Sequence, residues 1–231
     1  MGLLTMLRGN KADTPASPVL DEAAKGVDDD QVTAFLAKVI GAGIDGRGPL
    51  SSAVEVAQKA GRKGSVDDAI DEVVGSHARL VGASGFVTGL GGFATMLVAL
   101  PANVAGFHML SARMVAAIAS LRGYDVQRPE IRTAVLLTLA GSDATKVLNQ
   151  VGIPTTPGLA VGAVASRLPK SALMVVNKAV AFRILKGLSG KLLGRLGRAV
   201  PVVGGGVGAV VDVMMLRRVA DAARREFPAK R

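Results

Sequence analysis

The chain has 231 residues, of which 49% are apolar, a formal net charge of +10, and no cysteine. This length and apolar content exclude disorder for most of the chain, and the missing cysteine excludes disulfides and thiolate metal sites. The apolar residues are Ala, Val, Leu and Gly, with one Tyr, no Trp and six Phe, which points to helices and leaves few stacking platforms for single-stranded nucleic acid.

Residues 1–27 read as a flexible N-terminal tail, and residues 28–231 as one helical domain. The start "MGLLTMLRGNK" lacks the apolar run and cleavage site of a secretory signal. It also misses the myristoylation pattern, since position 6 is Met. A first helix is predicted from Asp30 to about Ile40, with Asp28, Asp29 and Asp30 at its positive end. "GAGIDGRGP" (41–49) reads as a loop, and Pro49 as the start of a short helix to about Gly61.

"SVDDAIDEVVGSHARLVG" (65–82) is the clearest helical segment. Ser65 and Asp68 have capping-box spacing. Val66, Ala69, Ile70, Val73, Val74, Leu80 and Val81 follow the period of one helical face, and His77 falls on it. A histidine there is expected to be a hydrogen-bonded core or interface group rather than a ligand.

No charged residue occurs between Arg79 and Arg113, a gap of 33 residues that exceeds the roughly 20 needed to cross a bilayer. Gly82, Gly85, Gly89, Gly91 and Gly92 stud its first part, and Pro101 interrupts it. Helical glycines cost about 0.5–1 kcal/mol each relative to Ala, a cost offset where two backbones approach closely. The pattern predicts helices over about 66–98 and 101–122, broken at Pro101, with a further break near Gly91-Gly92. Gly85, Gly89, Gly91, Gly92 and Pro101 are therefore the expected packing and hinge positions. This is the central glycine-rich apolar hairpin of an all-α bundle.

"GYDVQRPE" (123–130) is a turn, with Pro129 opening a helix to about Gln150. "VGIPTTPG" (151–158) is a loop, and a long helical pattern runs from about Lys170 to Arg198. On a wheel of about 100° per residue, "GLSGKLLGRLGRAVP" (187–201) separates three faces. Leu188, Leu192, Leu193 and Leu196 form one. Gly187, Gly190, Gly194 and Gly197 form another, with Gly190 and Gly194 the expected packing positions. Lys191, Arg195 and Arg198 form the third. Lys178, Arg183 and Lys186 lie upstream, out of phase with it. A last loop and helix close the chain.

The charge is divided as unevenly as the glycine. Residues 1–143 hold 13 basic and 15 acidic side chains, whereas residues 144–231 hold 15 basic and 3 acidic. The basic half calls for an anionic partner. The lipid-contact candidates are Lys178, Arg183, Lys186, Lys191, Arg195 and Arg198, whose stems can lie on apolar surface while their heads reach phosphates.

Motifs of catalysis and cofactor binding do not stand out. His77 and His108 lack metal-ligand spacing, and no GxSxG elbow occurs. "GLGG" and "GGGVG" do not complete a phosphate loop. A non-enzymatic protein without cofactor or metal is the expectation. Asp212, within "AVVDVMM", reads as a helix-edge carboxylate or as a buried partner of an arginine.

"VTGLGGFATMLVALPANVAGFHMLSARMVAAIASLRGYDV" (87–126) resembles the signature region of the EcsC family. It has the GLGG segment, the Pro ahead of a helix, and the Gly-Tyr-Asp ending at Gly123-Tyr124-Asp125. "RAVPVVGGGVGAVVDVMMLRRVADAARREF" (198–227) is similar to the family's closing P-x-x-G-x-x-x-G block and final helix. Together the resemblance covers about residues 65–228. It implies a bacterial, mostly helical protein and, from the founding case, a link to an ABC-transporter operon. It implies no catalytic residue. The pattern often has Asn near the position of Asp212, so this chain departs from it there.

Three functions compete. The first is a cytoplasmic protein peripheral to the inner face of the cell membrane, binding anionic lipid through its basic C-terminal half; in a stronger form the 80–112 hairpin inserts. The second is a helical module for a protein partner, such as a transporter component or a second copy of the chain. Nucleic-acid binding ranks last, since no helix-turn-helix pattern accompanies the basic residues.

Overall fold

The computed structural model describes residues 29–62, 64–90, 92–140 and 204–230. These form six helices and no strand: α1 (Asp29–Asp45), α2 (Ala53–Ala60), α3 (Val66–Leu90), α4 (Gly92–Leu121), α5 (Pro129–Ala140) and α6 (Gly204–Glu226). The fold is all-α, as the composition predicts.

The bundle is organised around α4, which packs against α1, α2, α3, α5 and α6. Every residue from Ser111 to Ala119 is buried. A helix buried all round has to be largely apolar, with any polar group such as Arg113 given a partner, and Ala112, Ala116, Ala117 and Ala119 keep it thin enough for neighbours on all sides. The surrounding helices each contribute one apolar stripe. On α6 this is Leu216, Ala220, Ala223 and Phe227, spaced i, i+4, i+7 and i+11. Burying a Leu, Ile or Phe side chain contributes about 1.5–3 kcal/mol.

Helix α1 runs five residues past its predicted end, through a segment read as loop. Ile40 and Ile44, one turn apart, are both buried, so the apolar stripe continues across the glycines. A Cβ at Gly43 would stand 2.3 Å from the carbonyl oxygen of Met109. Glycine there lets the α1 backbone rest directly on α4. The helix stops at Gly46, whose φ of +77° suits glycine. Pro49 does not start the next helix. It lies in a turn closed by Arg47 N–H to Leu50 C=O (3.0 Å) and Leu50 N–H to Arg47 C=O (3.1 Å). Helix α2 starts instead after Ser52, where Ser52 and Glu55 form a capping box.

At α3 the predicted Ser65–Asp68 capping box is present. The Asp68 N–H donates to Ser65 Oγ at 3.2 Å, and the Ser65 N–H to the Asp68 carboxylate at 3.0 Å. The Ser65 hydroxyl, which donates to the same carboxylate at 2.6 Å, and the Ser65 N–H hold the Asp68 carboxyl below the usual carboxylate range. Not all of the predicted apolar face is covered. Val66 is 46% and Leu80 48% exposed. Leu80 lies about 100° around the helix from buried Val81, at the rim of a face too wide for its neighbours.

The predicted break at Pro101 is not there. Pro101 lies inside α4, and the helix boundary falls between Leu90 and Gly92. Proline removes one backbone hydrogen bond and strains one turn, at a cost of about 3 kcal/mol. The burial of Ser111 to Ala119 farther along α4 offsets it. Two successive glycines weaken a helix without any such compensation from side chains. Gly85 and Gly89 fall in the last turns of α3 and Gly92 opens α4, while Gly91 lies outside the described residues. Close packing by glycine is seen at Gly82, where a Cβ would stand 3.3 Å from Val213 Cγ2 of α6.

The Gly123-Tyr124-Asp125 segment has a local structural explanation. Gly123, with φ +85°, caps α4. The Tyr124 N–H reaches Ala119 C=O and the Gly123 N–H reaches Ser120 C=O, each at 3.0 Å, the bond pattern of a Schellman motif. Tyr124 then packs edge-on against Phe227 at 5.3 Å, with Lys230 Nζ 4.5 Å from its ring centroid. The end of α6 thus docks on the turn that follows α4.

Candidate functional site

Two polar groupings stand out, one buried and one exposed. The buried one joins the α3–α4 hairpin. Asp67 pairs with Arg122 at 2.8 Å, and His77 with Arg113 at 3.0 Å, so the two helices are antiparallel. His77 is 1% and Arg113 5% exposed. His77 Nδ1 lies 2.8 Å from Val73 C=O, and the Arg113 Nε–H donates to His77 Nε2. Both contacts are satisfied by one neutral tautomer, protonated on Nδ1. Burial, reinforced by the Arg113 charge, pushes the His77 pKa down to about 4. Burial also lowers that of Arg113. A neutral ring with both nitrogens engaged and no solvent access is a lock between helices. This agrees with the role expected for His77 in the sequence. His108 sits on the same helix, half-buried, with Phe107 edge-on at 5.6 Å.

The exposed grouping lies on α6. Arg224 pairs with Asp71 at 2.5 Å, and Val213 faces Gly82. These contacts lay α6 antiparallel along α3, side by side on α4. Val210, Met214, Arg217, Asp221 and Arg225 follow at i, i+4, i+7, i+11 and i+15, with Arg218 beside Arg217; all are exposed. Val210 is 59% and Met214 52% exposed. On α3, exposed Arg79 falls about 160° around the helix from the mean direction of Asp67 and His77, the residues that reach α4. Arg79 and the α6 stripe therefore flank the same outward surface. It is apolar at one end and carries arginines beyond, with Asp221 on the stripe and exposed Asp68 and Glu72 on the Arg79 side of α3. Asp212 is half-buried, near the opposite side of α6, facing the core rather than this stripe.

The predicted lipid contacts Lys178, Arg183, Lys186, Lys191, Arg195 and Arg198 lie outside the described residues, as do Gly190 and Gly194. The α6 stripe was missed in the sequence, although the i, i+4, i+7, i+11 spacing of Val210, Met214, Arg217 and Asp221 was there to read. Among the described residues no three His, Cys, Asp or Glu side chains group to hold a metal ion. Nor, among them, is any helix long and apolar enough to cross a membrane.

The family model of the EcsC protein family matches residues 64–231. The chain belongs to the EcsC family. No curated protein and no solved structure matches it. The family match begins at the α3 capping box and takes in the α3–α4 hairpin, the Gly123-Tyr124-Asp125 cap and α6. It leaves α1 and α2 outside, although both pack on α4.

Proposed function

We propose that this EcsC protein is a non-catalytic, peripheral membrane protein that adsorbs to anionic lipid through its basic C-terminal half, at the cytoplasmic face of the cell membrane. The observation that carries this reading is the exposed Arg217, Arg218 and Arg225 row on α6, in a half with 15 basic and 3 acidic side chains. Each Lys or Arg near an anionic surface contributes about 1 kcal/mol, so a few of them suffice for adsorption at physiological salt. Adsorption is favoured over insertion because α4 is covered by five other helices. Drawing α4 into lipid would pull its buried Ser111–Ala119 run out of the bundle. The link to an ABC transporter implied by the family resemblance is a further proposal that fits this reading.

Flotation with neutral and with anionic vesicles tests the reading, each sample washed with high salt and then alkaline carbonate. Binding to anionic vesicles alone, reversed by salt, is the expected result. Resistance to both washes points to insertion of the 80–112 hairpin instead. Failure to float with either composition rejects the membrane and leaves a helical protein-interaction module as the better reading.

A further inference from the structure

We infer that helix α6 is the element that seats the protein on the membrane, lying flat with Val210 and Met214 entering the acyl boundary and Arg217, Arg218 and Arg225 on lipid phosphates. The inference rests on the anionic-surface reading above and goes beyond it. It assigns the contact to one face of one helix, and gives that face an apolar anchor as well as charge.

The stripe has the two parts that such a contact needs. Val210 and Met214 are large apolar side chains left more than half exposed, one turn apart on one face. A face designed only for water has no use for them in adjacent turns. Arg217, Arg218 and Arg225 continue the same face, and Arg79 flanks it from α3, where exposed Asp68 and Glu72 also lie toward the Arg225 end. An interfacial helix buries its apolar residues about 5–10 Å into the headgroup boundary, while long cationic stems reach back to the phosphates. The opposite side of α6 is held to the bundle by Leu216, Ala220, Ala223 and Phe227, all buried. The helix therefore presents this face without unfolding.

Charge selects the occupant. Among the described residues, the charges next to the apolar end are Arg217, Arg218 and Arg79, with the acids Asp221, Glu72 and Asp68 farther along. Asp221 sits between Arg218 and Arg225, away from the apolar end. An anionic surface matches the arginines next to the apolar end. Among the described residues, the other exposed large apolar side chains, Val66 and Leu80, lie on α3 about 150–170° from the direction of Asp71 and Gly82, which face α6.

The chain has no cysteine, so a single introduced one can carry an environment-sensitive fluorophore. Full-length Met214→Cys and Leu80→Cys, each labelled, would be mixed with phosphatidylcholine vesicles with and without phosphatidylglycerol, with flotation run in parallel. The expected result is a blue shift and brightening at position 214 on the anionic vesicles only, with position 80 silent. Unlabelled Met214→Ser is expected to lower partitioning roughly tenfold, the ratio lost with partial burial of one such side chain. Vesicles that float the protein while position 214 stays silent overturn the assignment to α6 and leave the anionic-surface reading intact. A shift at both positions overturns it in favour of insertion of the hairpin. No flotation rejects both readings together.

Discussion

With its ring held between Val73 C=O and Arg113, His77 has to stay neutral in the folded chain. Its folded pKa of about 4 lies below the roughly 6.5 of an unfolded histidine. Between those values the unfolded state binds more protons, so stability is full above pH 6.5 and falls as pH drops toward 4. The loss reaches on the order of 3 kcal/mol. Urea titrations from pH 7 to 4 should show this slope, and His77→Gln should reduce it while costing about 1–3 kcal/mol at pH 7 through the altered Arg113 contact. Glycines give a second contrast at this scale. Gly43→Ala pushes a methyl against the Met109 carbonyl and should destabilise by about 1–3 kcal/mol. Gly75→Ala meets nothing within 4 Å on exposed α3 and should stabilise by about 0.5–1 kcal/mol. Thermal melts of the pair give opposite signs if helix packing, rather than propensity, fixes Gly43.

At the scale of elements, helix ends were legible where side chains cap them. Ser65 with Asp68 announces α3, and Pro129 announces α5. The end of α1 was not legible, because Gly41 and Gly43 look like loop residues until a neighbouring backbone is known. The break near Gly91-Gly92 was legible, but the continuity of α4 through Pro101 was not, for the same reason. Local rules rank proline as the stronger breaker, but burial of α4 outweighs one missing hydrogen bond. The caps are testable. Ser52→Ala should cost about 1 kcal/mol by removing the α2 capping box, and chemical denaturation would measure it. Gly123→Ala should cost a similar amount, about 1 kcal/mol, because φ is +85° there.

For the whole molecule, the basic half and the α3–α4 hairpin are distinct parts. The hairpin is the core on which α1, α2, α5 and α6 pack, and α6 carries cationic residues to the surface. Arg217→Ala with Arg218→Ala should weaken adsorption to anionic vesicles by about 2 kcal/mol, roughly 30-fold. Both side chains are exposed, so the melting temperature should hardly move. A matching loss of stability would assign them to the fold instead.

The sequence by itself determined that the chain is helical, that its charge is concentrated in the C-terminal half, and that it resembles the EcsC family. Composition, capping residues and period are local properties, and they survive being read one residue after another. Only the tertiary structure decided which apolar helix is central, which glycines carry close contacts, and which of the periodic apolar residues stay outside. Val81 and Leu80 are neighbours in sequence, yet one is 1% and the other 48% exposed. Burial depends on what lies opposite a side chain, and the residues opposite belong to distant parts of the chain.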